Sequence, residues 1–153
     1  MPARILIVDD HEVVRQGIRT ILKARPQWEV CGEAINGKEA IAKAKTLNPD
    51  VIIMDITMPE MSGIEATRQL VKEKVSSAVL IFTMHESRNL AETVREAGAR
   101  GFVLKSHAAR DLLDALERLM NGGTFFGPGE SGSPVTRGPL APSLLFRVRL
   151  QFA

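Results

Sequence analysis

Four short apolar runs punctuate the chain, each halted by a polar residue: Ile5 to Val8 before Asp9, Val51 to Met54 before Asp55, Val79 to Phe82 before Thr83, and Phe102 to Leu104 before Lys105. Runs this short, rich in Val and Ile and without polar alternation, predict strands buried on both faces, as in a parallel sheet covered by helices. Glu29 to Ala34 is a weaker fifth strand. Helical spacing fills the gaps. Val14, Ile18, Ile21 and Leu22 form one apolar face before Pro26, and Ala40, Ile41, Ala44 and Leu47 form another before Pro49. A third helix starts after Ser62 and Gly63, with Ile64, Leu70 and Val71 turned inward. A fourth carries a thin stripe of Leu90, Val94 and Ala97 and stops at Gly98; a fifth carries Leu112, Leu113, Leu116, Leu119 and Met120 before Gly122 and Gly123. Strict alternation of strand and helix predicts an open α/β sheet with right-handed crossovers.

From Gly127 to Pro142, eight of sixteen residues are Gly or Pro, which reads as a linker. The expected organisation is a folded domain over 1–126 and a linker and tail over 127–153, without a second folded domain. The last stretch alternates Phe146, Val148, Leu150 and Phe152 with Arg147, Arg149 and Gln151, strand periodicity that has no partner strand.

The 153 residues suit one domain with some tail, and 44% hydrophobic with 25% charged residues excludes wholesale disorder. A net charge of +2 is too balanced to imply nucleic acid or a membrane as partner. The single Cys31 cannot form an internal disulfide and reads as a small core residue, and Trp28 as a packing residue. No apolar stretch reaches the roughly 18–20 residues of a membrane span, and Asp9 and Asp10 interrupt the N-terminus, so the expected location is cytoplasmic.

In an open parallel sheet, ligands bind outside the carboxyl ends of the strands. Asp9, Asp10, Asp55, Thr83 and Lys105 therefore belong to one group drawn from four strands. Any one of them alone reads as a loop residue or helix cap. Three carboxylates in one crevice repel, about 4 kcal/mol for a pair about 4 Å apart at an effective dielectric near 20, so a cation must compensate. Lys105 supplies one charge. Oxygen donors without His or Cys at metal spacing favour a hard ion such as Mg²⁺, which assists phosphoryl transfer to a carboxylate nucleophile.

With an Asp pair ending the first strand, a lone Asp the third, Thr the fourth and Lys the fifth, the chain resembles the receiver domain of bacterial two-component response regulators from residue 4 to about 123. The stretch Val8-Asp9-Asp10-His11-Glu12-Val13-Val14-Arg15-Gln16-Gly17 is similar to the start of the LuxR/FixJ-type subfamily, and Met58-Pro59-Glu60-Met61-Ser62-Gly63 matches the usual receiver loop. The resemblance implies a flavodoxin-like, doubly wound five-stranded sheet in order 2-1-3-4-5 with helices on both faces. It implies Asp55 as phosphoryl acceptor and Mg²⁺ held by Asp9, Asp10, Asp55 and the Thr57 carbonyl. Lys105 and Thr83 would contact the phosphoryl oxygens, and Phe102 would follow Thr83. Thr57 and His85 would tune dephosphorylation. A sensor histidine kinase is the implied donor, homodimerisation is left open, and the chain would act as a switch, not as an enzyme on other substrates. DNA would be contacted only through a helix-turn-helix domain, whose helices do not follow Pro142.

Ser106 stands where many receivers have Pro after the lysine, which leaves the local peptide geometry open, because a non-Pro cis bond costs about 2.5–4 kcal/mol. His11, His85 and His107 lack mutual metal spacing and read as solvated or capping residues. An aspartate-nucleophile phosphatase is the competing class; such enzymes usually place an acid two residues after the nucleophile, where this chain has Thr57. No G-x-x-x-x-G-K-[ST] supports nucleotide binding.

Overall fold

A computed structural model describes residues 2–84 and 86–127. The linker from Pro128 onward and the alternating tail lie outside the described residues, as does His85. Five parallel strands, β1 (Ala3–Val8), β2 (Trp28–Ala34), β3 (Val51–Met54), β4 (Ala78–Thr83) and β5 (Gly101–Leu104), form one sheet in the order β2-β1-β3-β4-β5. This is the expected doubly wound, flavodoxin-like arrangement. The connecting helices are α1 (Glu12–Leu22), α2 (Gly37–Leu47), α3 (Gly63–Lys72), α4 (Leu90–Ala97) and α5 (Ala108–Met120).

The unbroken apolar runs are explained by burial on both sides. Ile5, Ile7, Val51, Ile53, Leu80 and Phe82 pack with Ile18, Leu112 and Leu116 of α1 and α5. Leu6, Val8, Ile52, Met54 and Ile81 pack with Ala40, Ala66, Leu70 and Val94 of α2, α3 and α4. Alternate residues along each strand thus feed opposite layers. The edge strand β2 is only half-buried along most of its length, which explains why its hydrophobic signal is weak. Cys31 on that strand packs against the α2–α4 layer, and burial pushes its thiol up from the ordinary range. Trp28 packs in the other layer with the Arg25 guanidinium 5.7 Å from its ring centre.

Helix starts follow local chemistry. Asn36 Oδ1 accepts from the Glu39 N–H at 2.8 Å to open α2, and Ser62 Oγ accepts from Glu65 at 3.1 Å to open α3. The N-cap of α4, Asn89, makes no such bond, and neither do the N-caps of α1 and α5.

One inward assignment is corrected. Val71 is 53% exposed, because Ala66, Thr67 and Leu70 define the buried line of α3 and the next residue rotates about 100° off it. Its side chain instead lies beside Gly98, where a Cβ would strike Val71 Cγ2. The open question at Lys105–Ser106 is also answered: there is no cis peptide bond among the described residues.

Candidate functional site

The β1–β2 and β1–β3 ladders each continue one residue past the strands and fix two carboxylates at the same edge of the sheet. The Asp9 N–H donates to the Ala34 carbonyl at 3.0 Å, and the Asp55 N–H donates to the Val8 carbonyl at 2.9 Å. Both residues are buried, at 1% and 5% exposure. Lys105, the first residue beyond β5, reaches back past the Phe82 ring, 6.0 Å from its centre. Its Nζ lies 2.8 Å from Asp9 Oδ2 and 3.2 Å from Asp55 Oδ1. Residues nearly a hundred positions apart thereby meet at the carboxyl edge of the sheet.

Backbone amides aim the carboxylates. Asp9 Oδ1 accepts from the His11 N–H at 2.9 Å, and Asp55 Oδ1 accepts from the Ile56 N–H at 2.9 Å. From α1, Arg15 donates to the Asp9 carbonyl at 2.6 Å through one terminal nitrogen and to Glu33 through Nε at 2.6 Å, tying the Asp9 backbone to β2.

Asp9, Asp10, His11 and Asp55 each bring one ligand-type atom within 4.8 Å of the others. Asp9 Oδ2 is fully buried and accepts no hydrogen bond, since the Lys105 ammonium neutralises it without aligned donation. A buried carboxylate oxygen with spare lone pairs, in a set dominated by carboxylates, fits a hard divalent cation such as Mg²⁺. Asp10, 30% exposed at the side chain, forms the solvent side of this cluster.

His11 is 67% exposed at the side chain, as expected of a solvated residue, and its Nδ1 also lies 3.2 Å from both Asp9 Oδ1 and Asp10 Oδ1. It occupies the N-cap position of α1 without making a side-chain cap bond. The signal that could have found it is adjacency to the Asp pair at the strand-to-helix turn. Arg15 carries no comparable local signal.

Thr83 closes β4, is buried, and pairs in register with Leu104. Phe102 pairs with Ile81, so Phe102 and Thr83 are diagonal neighbours on one face of the sheet. Thr57 sits exposed in the loop after Asp55.

Burial raises the Asp55 carboxyl above its ordinary range, the Asp9 charge raises it further, and Lys105 and the Ile56 amide pull it back in part. The raised value means that ionised Asp55 opposes folding: the cost is absent below the unfolded-state carboxyl range and fully present above the folded one. Asp55→Asn is therefore expected to melt higher than the parent at pH 7, with the advantage fading as pH falls through the carboxyl range. Mg²⁺ at tenfold its dissociation constant should add about 1.4 kcal/mol to the parent, and less to Asp55→Asn. Thermal melts with and without Mg²⁺ check both statements.

The family described as response regulator receiver domain matches residues 5–117. The response regulator VraR of Staphylococcus aureus is 41% identical over 128 residues, covering 84% of this chain and 61% of that protein. The transcriptional regulatory protein DegU of Brevibacillus brevis is 36% identical over 125 residues, covering 82% of this chain and 53% of that protein. This chain thus spans a little over half the length of the curated relatives it matches. Among solved structures, a LuxR-family two-component response regulator from an Aurantimonas species superposes with a TM-score of 0.80 at 37% identity, covering 88% of this chain and 96% of that one.

Proposed function

Because the chain belongs to the response regulator receiver family and its relatives are LuxR/FixJ-type regulators, we propose that Asp55 is a phosphoryl acceptor and that residues 1–126 form a phosphorylation switch. The observation that carries this reading is the Lys105 ammonium spanning Asp9 and Asp55 at 2.8 and 3.2 Å. That arrangement holds one carboxylate at the sheet edge next to a cation able to follow the charge that arrives on it.

In the proposed reaction an Asp55 carboxylate oxygen attacks the phosphorus of a phosphohistidine on a sensor histidine kinase. An O–P bond forms, the N–P bond breaks, and the imidazole leaves with the electron pair and takes up a proton. Asp9, Asp10, Asp55 and the Thr57 carbonyl would hold Mg²⁺, which when bound supplies positive charge beside the transferring oxygens. Lys105 then moves its contact from the carboxylate to the phosphoryl group, and the Thr83 hydroxyl donates to a phosphoryl oxygen. Phe102 follows Thr83. Thr57, beside Asp55 in sequence, would bear on the lifetime of the acyl phosphate, and the same role is proposed for His85.

Moving a switch from 1:99 to 99:1 takes about 5.5 kcal/mol, whereas one charge-assisted hydrogen bond contributes roughly 1.5–3 kcal/mol, so Lys105 and Thr83 must act together. The relatives are named as transcriptional regulators, and by that kinship this domain would belong to the control of transcription. No described helix is long and apolar enough to cross a membrane, in keeping with a cytoplasmic role for the switch.

Incubation with Mg²⁺ and acetyl phosphate tests the reading by intact mass. One acid-labile phosphoryl group is expected on the parent and none on Asp55→Ala. A parent that stays unmodified, or an equal gain on the variant, overturns it.

A further inference from the structure

The chain does not leave the domain freely after α5. Gly122, at φ 84°, and Gly123, whose N–H donates to the Arg118 carbonyl at 2.8 Å, turn it back toward the open edge of β5. There it adds a single rung: the Phe125 N–H donates to the Arg100 carbonyl at 3.0 Å, and the Phe102 N–H donates to the Phe125 carbonyl at 2.8 Å. The approach is close enough that a Cβ on Gly101 would collide with the Phe125 carbonyl.

Two consecutive aromatics then anchor the rung in the two layers. Phe125 is 2% exposed and packs with α5, where the Arg118 guanidinium lies 5.5 Å from its ring centre. Phe126 points to the α4 layer, with its ring centre 6.4 Å from that of Phe102 and the Arg95 guanidinium of α4 4.2 Å from it. A cation held over an aromatic face is attracted by the ring's quadrupole, which is enough to bias a thinly packed helix. Phe125 and Phe126 thus tie the exit of the chain to β5 and α4.

We propose that Thr124–Phe126 is a clasp, with Phe126 the positioning residue that holds Phe102 and α4 in their present pose and passes a change at Asp55 to the chain beyond residue 127. The proposal rests on the phosphoacceptor reading and extends it to the output. When the phosphoryl group draws Thr83, the space beside its diagonal neighbour Phe102 changes. Phe102 then parts from Phe126, α4 loses its Arg95 tether, and the rung on β5 loosens. The clasp is a two-state element that both Asp55 and the emerging chain can bias.

Amide hydrogen exchange on the whole chain tests this, with intact mass reporting Asp55 modification in the same samples. After acetyl phosphate and Mg²⁺, the Phe102 and Phe125 amides should exchange about tenfold faster while Ile5–Val8 of β1 does not change. In unmodified protein, Phe126→Ala should accelerate these two amides and those of α4, Phe126→Tyr should restore parent rates, and phosphorylation of Phe126→Ala should add little. A general loss of packing would instead speed exchange across the sheet. Modified Asp55 with unchanged exchange at Phe102 and Phe125 overturns the clasp, as does Phe126→Ala with α4 unaffected. Absence of the mass gain counts against the phosphoacceptor reading alone, since the Phe126 variants are read in unmodified protein.

Discussion

At pH 7, Lys105→Met is expected to lose about 3–5 kcal/mol of folding stability, the usual cost of removing one partner from a buried ion pair. The Lys105 side chain is 11% exposed and faces Asp9 and Asp55, at 1% and 6%. Met keeps most of the apolar stem beside Phe82, so the loss is chiefly electrostatic. Without the ammonium, the Asp55 carboxyl rises further above its unfolded-state value, and the deficit lies wherever Asp55 is ionised. It should therefore shrink as pH falls through the carboxyl range and be nearly gone below about pH 4, near the unfolded-state value. Mg²⁺ should restore more stability to the variant than it adds to the parent, because it answers repulsion that nothing else then offsets. Denaturant unfolding at several pH values, with and without Mg²⁺, measures all of this. A deficit independent of pH would mean that Lys105 matters through packing over Phe82.

The same charges explain what was legible in the sequence and what was not. The polar residues that stop Ile5–Val8, Val51–Met54 and Phe102–Leu104 could be grouped because parallel strands all end at one edge. The structure brings Asp9, Asp55 and Lys105 into contact there. Unbroken buried runs announce themselves through composition even when short, and so does the start of α3 after Ser62. Side-chain direction within a shared turn does not: His11 is solvated as its surroundings suggest, yet its ring nitrogen turns back onto the Asp pair. Val71 differs from its pattern for a related reason: an apolar residue one step beyond Leu70 fits a loose helical spacing but lies beside Gly98, just past the end of α4. The rung at Phe125 was invisible because a single residue of strand pairing has no period at all. Gly122 and Gly123 read simply as a stop, whereas they also steer the chain onto β5.

Gly63→Ala is expected to be the most damaging substitution at a position that a helix scale would call favourable. Gly63 opens α3, and its N–H donates to the Ile56 carbonyl at 2.8 Å, closing the loop that begins at Asp55. A Cβ there would overlap the Asp55 carbonyl oxygen and stand 2.9 Å from both the Asp55 carbonyl carbon and Met54 Cγ. Replacing Gly by Ala inside a helix gains about 1 kcal/mol, whereas forcing an added carbon into a packed interior typically costs 1–3 kcal/mol and sometimes more. Here the obstacle is backbone of the strand that carries the acceptor, which cannot swing away as a side chain would. An obstacle of backbone puts the cost at or above the top of that range, so the net loss should be about 2 kcal/mol or more, and acetyl phosphate should label the variant more slowly because relief comes only by moving Asp55. Gly17→Ala supplies the contrast: Gly17 lies mid-α1 with nothing within 4 Å of an added Cβ, and that variant should gain up to about 1 kcal/mol. If both substitutions shift the melting temperature upward, α3 is free to retreat from β3, and the acceptor loop is not held by the close approach at Gly63.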